Sequence, residues 1–343
     1  MLDDPNVIKQ RDPQDYLSFI AQQPEQLKHS FGIIAEHFTN TIENVVFSGM
    51  GGSALVAELA NTWPRLTKPY VIRKEYTLPD FVGEHTLVIS SSYSGNTEES
   101  LAALAEARSK GAQIAVITHG GKMLQDAHEH KYILAQIPPC PQPRVGVFYA
   151  YRALVEILEA ANLIPKSSVA TLEVLTAPLE AHIKEWIPAV SQTNNYAKQL
   201  AQHMIGKTPI IYAGPHMYPA AYKWKIDFNE NAKNTAWCNM LPEFNHNEFI
   251  GWSSHPIEKP FAVVDLLSHF EHPRVQKRFE VTDRLLSGMR PASINVEAKG
   301  GSALEHMLYL VLLGDFVTTY TGLLNGVNPT PVALVEKFKK ELA

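Results

Sequence analysis

The segment Leu87-Val-Ile-Ser-Ser-Ser-Tyr-Ser-Gly-Asn-Thr-Glu-Glu99 is the most informative stretch of this 343-residue chain. It reads as an apolar strand that breaks into a hydroxyl-rich turn, after which a helix begins at Thr97. Backbone N–H groups at a helix N-terminus lack intrahelical partners and carry partial positive charge. Ser92, Ser94 and Thr97 add hydroxyl donors around the same point. The segment therefore predicts a binding site for a phosphate group.

A second, glycine-rich turn, Gly49-Met-Gly-Gly-Ser53, follows the apolar segment Asn44-Val-Val-Phe-Ser48. In open parallel sheets, ligands bind beyond the carboxyl ends of the strands, where such loops converge. Gly51, Gly52 and Ser53 are therefore expected to face the same crevice as the first turn. The first turn contains no lysine and has the spacing of neither a nucleoside-triphosphate loop nor a dinucleotide loop. A small phosphate monoester is the expected ligand.

Continuous apolar strands alternate with helical patterns, which predicts an α/β fold of doubly wound parallel sheets covered by helices on both faces. Strands are predicted at 44–48, 70–73, 85–90, 112–118 and 132–135, and in a second copy of the pattern at 209–213, 235–240, 261–265 and 292–296. Helices are predicted at 97–110, 145–161, 188–205, 217–233, 302–321 and 330–342, with a turn or linker at 165–168.

A chain of this length suits two domains better than one core. We expect an N-terminal domain at 28–165 with the phosphate loops, a C-terminal domain at 185–325 with catalytic Glu and His residues, and a C-terminal helix at 326–343 that completes the active site. The corresponding strand end in the second copy, Tyr212-Ala-Gly-Pro-His216, lacks the hydroxyl-rich turn. One phosphate site per chain is therefore expected.

Composition and charge exclude several classes of protein. A content of 45% hydrophobic and 19% charged residues fits buried cores and not a disordered chain. The formal net charge of −5 argues against nucleic acid as a partner. No continuous apolar run approaches the length of a membrane span, and the N-terminus lacks the order of a signal peptide. We therefore expect no membrane partner and a cytoplasmic location.

The cysteines and histidines do not predict a metal centre. Cys140 and Cys238 are too few for a disulfide framework or a cysteine metal site, so both are expected to be packing residues. His128 and His130 are two residues apart and would not share one helical face. No metal and no cofactor are expected.

The two turns together resemble the sugar isomerase (SIS) domain. Two further segments, Asn229-Glu-Asn-Ala-Lys233 and Leu241-Pro-Glu-Phe-Asn-His-Asn-Glu248, resemble second-domain motifs of the bifunctional phosphoglucose/phosphomannose isomerases. Arg144 in Gln142-Pro-Arg144 and the segment Asn328-Pro-Thr-Pro331 also match that family's layout. The resemblance covers nearly the whole chain and implies two SIS domains, each an α-β-α sandwich.

The resemblance implies reversible aldose–ketose isomerisation of glucose 6-phosphate and mannose 6-phosphate to fructose 6-phosphate, through ring opening and a cis-enediol(ate) intermediate. It also implies a homodimer with active sites at the interface, in which His246 reaches the partner's site. One alternative is a non-catalytic regulatory protein that binds a phosphosugar. Another is the isomerase half of an amidotransferase, which would carry a glutaminase before the first strand, here predicted to begin at residue 44.

Three residues before the C-terminal segment are expected to carry the chemistry. Glu230 is the candidate base that moves a proton between C2 and C1, because partial burial raises the pKa of a carboxyl toward the working pH. Glu243 and Glu248 remain alternatives. The resemblance implies that His246 opens the sugar ring, a task that suits histidine near neutral pH, and its neighbours Asn245 and Asn247 are expected to fix the tautomer of its ring. It also implies that Arg144 stabilises the negative charge of the enediolate.

The C-terminal segment supplies two more candidates. The family has a lysine that assists ring opening seven residues beyond a threonine, which gives Lys337 when counted from Thr330, with Lys339 as the alternative. Thr330 corresponds to a threonine that is linked in the family to acceptance of mannose 6-phosphate as well as glucose 6-phosphate. A short side chain at this position leaves room near C2 of the sugar.

Overall fold

The computed structural model describes residues 1–254 and 260–342, which divide into two compact units. The first unit spans Gln22–Ala177, and the second unit combines Met1–Ala21 with Pro178–Ala343. The N-terminal segment supplies helices α1 (Pro5–Arg11) and α2 (Tyr16–Ala21) to the second unit, an assignment that the sequence did not predict. The domain limits expected from the sequence, at 28–165, 185–325 and 326–343, stay predictions. Residue 343 lies outside the described residues.

The first unit is built on a five-stranded parallel sheet with the order β2-β1-β3-β4-β5. Its strands are β1 (Asn44–Gly49), β2 (Tyr70–Arg73), β3 (Thr86–Ser92), β4 (Gln113–Thr118) and β5 (Ile133–Gln136). The side chains of β3 are buried along its whole length, as expected for a central strand covered on both faces. All five predicted strands of this unit are present.

The helices of the first unit are α3 (Gly51–Thr62), α4 (Glu98–Ser109), α5 (Gly121–Glu129), α6 (Val147–Ala160) and α7 (Ser168–Val174), and α8 (Thr176–Ile183) runs across the boundary between the units. Two acidic residues, Glu98 and Glu99, occupy the first turn of α4, where they complement the helix dipole. The helices α7 and α8 follow the predicted turn at 165–168.

The second unit contains a four-stranded parallel sheet with the order β7-β6-β8-β9. Its strands are β6 (Thr208–Ala213), β7 (Trp237–Met240), β8 (Phe261–Leu267) and β9 (Ile294–Glu297), and its further helices are α9 (Tyr196–Met204), α10 (Tyr218–Glu230), α11 (Glu248–Gly251), α12 (Pro273–Leu285), α13 (Ala303–Leu324) and α14 (Ala333–Leu342). Two parallel-sheet α/β units are thus present, and the predicted fold class is confirmed.

The helix predicted at 188–205 is wrong in its first half, because α9 begins only at Tyr196. The side chain of Asn195 caps the helix by accepting a hydrogen bond from the backbone N–H of Lys198 at 3.0 Å. The buried ammonium group of Lys198 donates to the carbonyls of Pro188 and Val190, at 2.8 Å each. These carbonyls are therefore held in a loop and do not continue a helix.

Helix α13 is the centre of the second unit. Among residues 1–254 and 260–342 it is the one helix that is long and apolar enough to cross a membrane by length and composition, yet 94% of its most apolar window is buried inside the protein. A helix that is apolar all round and buried is typical of a protein core. A Cβ atom on Gly314 would lie 2.3 Å from the ring of Trp224, so glycine permits the close packing of α10 on α13.

Candidate functional site

Two loops of the first unit meet at the carboxyl end of its sheet. Strands β1 and β3 are neighbours, and their register sets Gly49 opposite Ser91. The segments that follow are joined directly, because the backbone N–H of Tyr93, in the loop after β3, donates a hydrogen bond to the hydroxyl of Ser53, in the first turn of α3, at 3.2 Å. Helices α3 and α4 begin immediately after these loops. Two helix N-termini and the candidate hydroxyls therefore lie at the same edge of one sheet, as the sequence predicted.

The hydroxyl groups of the turn after β3 have different roles. Ser92 is buried, its hydroxyl lies 2.8 Å from that of Thr97, and it accepts the backbone N–H of Gly95 at 3.1 Å. Ser94 is exposed, and its hydroxyl accepts the backbone N–H of Asn96 at 3.3 Å. Ser92 thus stabilises the turn from its buried side. Ser94 and Thr97 lie nearer its surface, where a phosphate could reach them.

A third loop, between β4 and α5, braces this turn and was missed from the sequence. Gly95 has a φ of +68°, and a Cβ atom there would lie 1.7 Å from the carbonyl oxygen of Gly120. The backbone N–H of Lys122 donates to the side chain of Asn96 at 3.1 Å. The two loops are therefore in direct backbone contact. The signal in the sequence is the pair Gly120-Gly121 that follows a predicted strand.

Arg144 lies beside the start of α3 in the same unit. It is only 1% exposed, and it belongs to a short 3-10 turn at Pro143–Val145. A Cβ atom on Gly52 would lie 3.9 Å from the backbone of Arg144, and the guanidinium donates to the side chain of Gln142 at 3.2 Å. A buried arginine next to the glycine-rich loop is suited to act on an anionic group held nearby.

Glu230 is the last residue of α10 and is half-buried. The next residue, Asn231, is buried; it donates to the hydroxyl of Thr318 at 3.0 Å and accepts from the phenol of Tyr16 at 3.1 Å. Lys233 donates to the backbone carbonyl of Glu230 at 2.6 Å. The end of α10 is therefore fixed at the Glu230 carbonyl and at the next residue, which gives the backbone of Glu230 a defined place.

Lys223, a conceivable ion-pair partner of Glu230, is engaged elsewhere. Its ammonium group is fully buried and pairs with Asp227 and Asp315. Burial raises the pKa of Asp227 well above its usual range. One lysine and two carboxylates thus form a closed cluster between α10 and α13, with a structural role.

His246 lies at the end of a short 3-10 turn, Glu243–His246, and is exposed. The prediction that the neighbouring asparagine side chains orient its ring is wrong. Asn245 donates to Thr282 at 2.9 Å and accepts from Arg278 at 3.1 Å. Asn247 donates to Glu243 at 2.7 Å and accepts from the backbone of Glu248 at 2.6 Å. Both amide groups stabilise the turn and leave the imidazole on its surface.

The two alternative bases differ from Glu230 in their surroundings. One carboxylate oxygen of Glu248 accepts from the phenol of Tyr212, and the other accepts from the side chain of Asn239 at 2.7 Å. Both oxygens of this carboxylate are therefore occupied by hydrogen-bond donors. Glu243 is exposed and holds Asn247. Neither arrangement favours proton abstraction from carbon.

The C-terminal candidates lie in different environments. Thr330 is only 8% exposed, and its backbone N–H donates to the side chain of Asn328 at 2.9 Å. Lys233 also binds the carbonyl of Pro329 at 3.0 Å, so the Thr330 segment and the end of α10 share one lysine. Lys337 is 72% exposed on α14 and lies 3.7 Å from Glu341.

The second unit has a carboxylate at the strand end that corresponds to the candidate phosphate loops of the first unit. Glu271 accepts the backbone N–H of Met217 at 3.0 Å, just before α10 begins. A Cβ atom on Gly214, which directly follows β6, would lie 2.4 Å from the carboxyl carbon of Glu271. An internal anion therefore occupies this strand end. This explains physically why one phosphate site per chain is expected.

A cavity of about 430 Å³ lies beside β8 and β9 in the second unit. Five of its lining residues are acidic: Asp265, Glu271, Glu280, Asp283 and Glu297. Such a lining repels a phosphate ester. No group of three or more His, Cys, Asp or Glu side chains within the described residues is arranged to hold a metal ion.

Comparisons with known proteins agree with this geometry. Residues 40–161 match the model of the SIS domain, and residues 193–342 match that of the bacterial phospho-glucose isomerase C-terminal SIS domain. The solved tagatose-6-phosphate ketose/aldose isomerase from Escherichia coli has the same fold, with a TM-score of 0.70 at 16% identity over 93% of this chain and 95% of that chain. Fold and site thus define a protein of two tandem SIS domains.

Relatives found by sequence show which family of tandem SIS-domain proteins this chain belongs to. The bifunctional phosphoglucose/phosphomannose isomerase of Caldicellulosiruptor bescii is 34% identical over 93% of this chain and 96% of its own length. The enzyme of the same name from Aquifex aeolicus is 32% identical over 88% of this chain and 90% of its own length. The chain therefore belongs to the bifunctional phosphoglucose/phosphomannose isomerase family.

Proposed function

We propose that this protein interconverts glucose 6-phosphate or mannose 6-phosphate with fructose 6-phosphate by aldose–ketose isomerisation. Membership of the family is the first support, since its named relatives are isomerases of both phosphosugars. The observation that carries the proposal is the hydrogen bond between Tyr93 and Ser53, which joins two hydroxyl-bearing loops at two helix N-termini. Such a site suits the dianionic phosphate of a hexose phosphate.

The phosphate is bound by the first unit. Backbone N–H groups of Gly51 and Gly52, with the hydroxyls of Ser53, Ser94 and Thr97, are the proposed donors, and Ser92 fixes their turn. Because the phosphate does not react, its binding energy serves to position C1 and C2 of the sugar.

Isomerisation itself is a proton transfer. Glu230 takes the proton from C2 of the open-chain aldose, the electron pair of that C–H bond forms the C1–C2 double bond, and the π pair of the C1 carbonyl moves to O1 to give the enediolate. The proton of the O2 hydroxyl then passes to O1, the carbonyl re-forms at C2, and the same carboxyl returns its proton at C1. The anchoring of the Glu230 carbonyl by Lys233 and of the next residue, Asn231, by Thr318 supports this role. General base catalysis of this kind contributes about 10²–10⁴-fold in rate.

Arg144 stabilises the negative charge that develops on the enediolate oxygens. Its burial supports this role, because a guanidinium out of solvent interacts more strongly with a developing charge. Arg144→Ala should lower kcat about a hundredfold, corresponding to about 3 kcal/mol in the barrier. A circular dichroism melt checks that the variant folds. A folded variant with unchanged kcat would refute this assignment.

Ring opening precedes isomerisation. His246 is the proposed acid and base for the ring oxygen and the anomeric hydroxyl, and Lys337 on α14 is the proposed assistant, with Lys339 as the alternative. Because α14 is exposed and carries the apolar residues Leu334, Phe338 and Leu342 at spacings of four, it has a face suited to a second copy of the chain. We therefore include a homodimer, and a cytoplasmic location, in the proposal.

Thr330 is the residue that we propose lets the site accept both C2 epimers, glucose 6-phosphate and mannose 6-phosphate. A longer side chain at this position should exclude the epimer whose C2 hydroxyl points toward residue 330. In the variant Thr330→Gln, kcat/KM for mannose 6-phosphate should fall at least about tenfold more than for glucose 6-phosphate, the discrimination of about 1–3 kcal/mol typical of a steric pocket. An equal loss for both sugars would contradict this role.

The decisive experiment is a coupled assay of purified protein that measures fructose 6-phosphate formed from each hexose phosphate. Activity on both sugars, unchanged by chelator, is the expected result. Binding of the phosphosugars without turnover would instead favour the non-catalytic regulatory protein. Dilution with light-scattering detection tests the dimer, since activity should fall together with the dimer fraction.

A further inference from the structure

Tyr93 makes contacts that the proposed phosphate chemistry does not require. It is half-buried and lies in the middle of the phosphate-binding turn. Its backbone N–H binds Ser53 at 3.2 Å, and its carbonyl accepts the backbone N–H of His119 at 3.1 Å. Tyr93, in the loop after β3, therefore touches both the first turn of α3 and the loop after β4.

The Tyr93 side chain reaches a fourth segment. Its phenol donates to the carbonyl of Cys140 at 3.0 Å and accepts the backbone N–H of Cys140 at 2.5 Å. Its ring stacks on His119, with centroids 5.2 Å apart and planes 13° from parallel. The His119 ring in turn binds the carbonyl of Ile137 at 2.8 Å through Nδ1. The stretch from Ile137 to Cys140 is thus held to the phosphate loops by two aromatic residues.

That stretch leads directly to Arg144. A Cβ atom on Gly146 would lie 2.9 Å from the sulfur of Cys140, so the Cys140 side chain packs against the end of the turn that carries Arg144. A continuous path of contacts therefore runs from the phosphate turn through Tyr93 and Cys140 to the turn at Pro143–Val145. All of these residues belong to the first unit.

We propose that Tyr93 is a positioning residue that couples phosphate in the loop to the placement of the Arg144 guanidinium. A phosphate that orders the turn orders Tyr93, and its phenol then fixes the backbone four residues before Arg144. The inference rests on the proposed function for the role of Arg144, whereas the coupling between the two segments can be tested without turnover.

The first test uses the thiol of Cys140 as a reporter. Burial raises the pKa of Cys140 to about 11, so its alkylation is slow and responds to local opening. Alkylation by N-ethylmaleimide is followed at the Cys140 peptide by mass spectrometry, with and without inorganic phosphate. Phosphate should slow the reaction at least about threefold in the wild type and have no effect in Tyr93→Phe. Equal protection in both proteins would overturn the coupling.

The second test is kinetic. Tyr93→Phe keeps the ring that stacks on His119 and removes only the hydroxyl. We expect kcat to fall about tenfold, as for a misplaced catalytic group, while KM and inhibition by inorganic phosphate stay within about twofold. In an Arg144→Ala background the same change should have almost no further effect on kcat. Independent effects in the double variant, or a change confined to KM, would overturn the proposal.

Tyr70→Phe is the matched control. The Tyr70 phenol also donates to a backbone carbonyl, that of Ala57 at 3.4 Å, but on the edge strand β2. This variant should match the wild type in both tests. If the wild type lacks isomerase activity, the proposed function fails. The alkylation experiment still decides whether Tyr93 couples the two segments.

Discussion

Lys233 bridges two backbone carbonyls, that of Glu230 at 2.6 Å and that of Pro329 at 3.0 Å. The first belongs to the last residue of α10, and the second directly precedes Thr330. A cation at the end of a helix also satisfies carbonyls that have no partner within the helix. The lysine of the Asn229–Lys233 motif thus joins the proposed base to the proposed specificity residue.

Removal of this bridge should lower the activity on both hexose phosphates and change the ratio of the two activities. In Lys233→Met we expect kcat to fall about tenfold because Glu230 loses a fixed position. The ratio of mannose to glucose activity should change as well, because the Thr330 segment is released. Lys233→Arg keeps a cation that reaches both carbonyls and should restore most of the activity. Unchanged kinetics in Lys233→Met would show that the bridge has no role in positioning.

Loss of the contact between the two proposed phosphate-binding loops should weaken the binding of phosphate. Ser53→Ala leaves the part-buried backbone N–H of Tyr93 without its acceptor, a loss of about 1 kcal/mol. We expect the inhibition constant of inorganic phosphate and KM to rise about tenfold, with kcat less affected. Ser109→Ala, which removes an exposed hydroxyl bound to the Glu106 carbonyl at the far end of α4, is the control. Equal behaviour of the two variants would argue against a shared phosphate site.

Asp265 predicts a dependence of stability on pH. Burial raises its pKa to about 6, from the ordinary 3.8, although Arg290 lies 3.7 Å away. The folded protein therefore keeps a proton that the unfolded chain releases. This contribution is fully present below pH 4 and is lost as the pH rises through 6.

The variant Asp265→Asn lacks this titration. Its free energy of unfolding, relative to that of the wild type, should improve by about 2 kcal/mol between pH 4 and pH 7, since most of the shift in pKa falls within this range. Urea denaturation at a series of pH values measures the difference. Two curves that run parallel across this range would mean that Asp265 has an ordinary pKa in the folded protein.

The parallel sheets could be predicted because their strands carry continuous apolar runs. Val45, Val46 and Phe47 in β1, for example, are all fully buried, and the run ends at glycine. The turn after β3 was predictable for a similar reason: hydroxyl and glycine residues end the apolar strand, and Glu98 and Glu99 mark the first turn of the helix that follows. Local patterns of this kind determine both features.

Contacts between distant segments could not be predicted. The ion pair of Asp3 with Lys198, 2.9 Å apart, helps to attach the N-terminal segment to the second unit, and nothing near either residue indicates it. The loop at 188–195 is held by the same lysine. The side chains of Asn245 and Asn247 bind Thr282 and Glu243, where the sequence suggested His246. In each case a partner far along the chain, or a turn geometry, decides the structure.

The central claim is that Glu230 transfers the proton between C2 and C1, and one measurement tests it most directly. Glucose 6-phosphate deuterated at C2 is incubated with the wild type, Glu230→Gln and Glu243→Gln, and both fructose 6-phosphate and loss of deuterium to water are followed. The wild type and Glu243→Gln should release deuterium and form product. Glu230→Gln should bind the sugar phosphate but lose at least about 10²-fold in both rates. Deuterium release at the wild-type rate in Glu230→Gln would contradict the assignment.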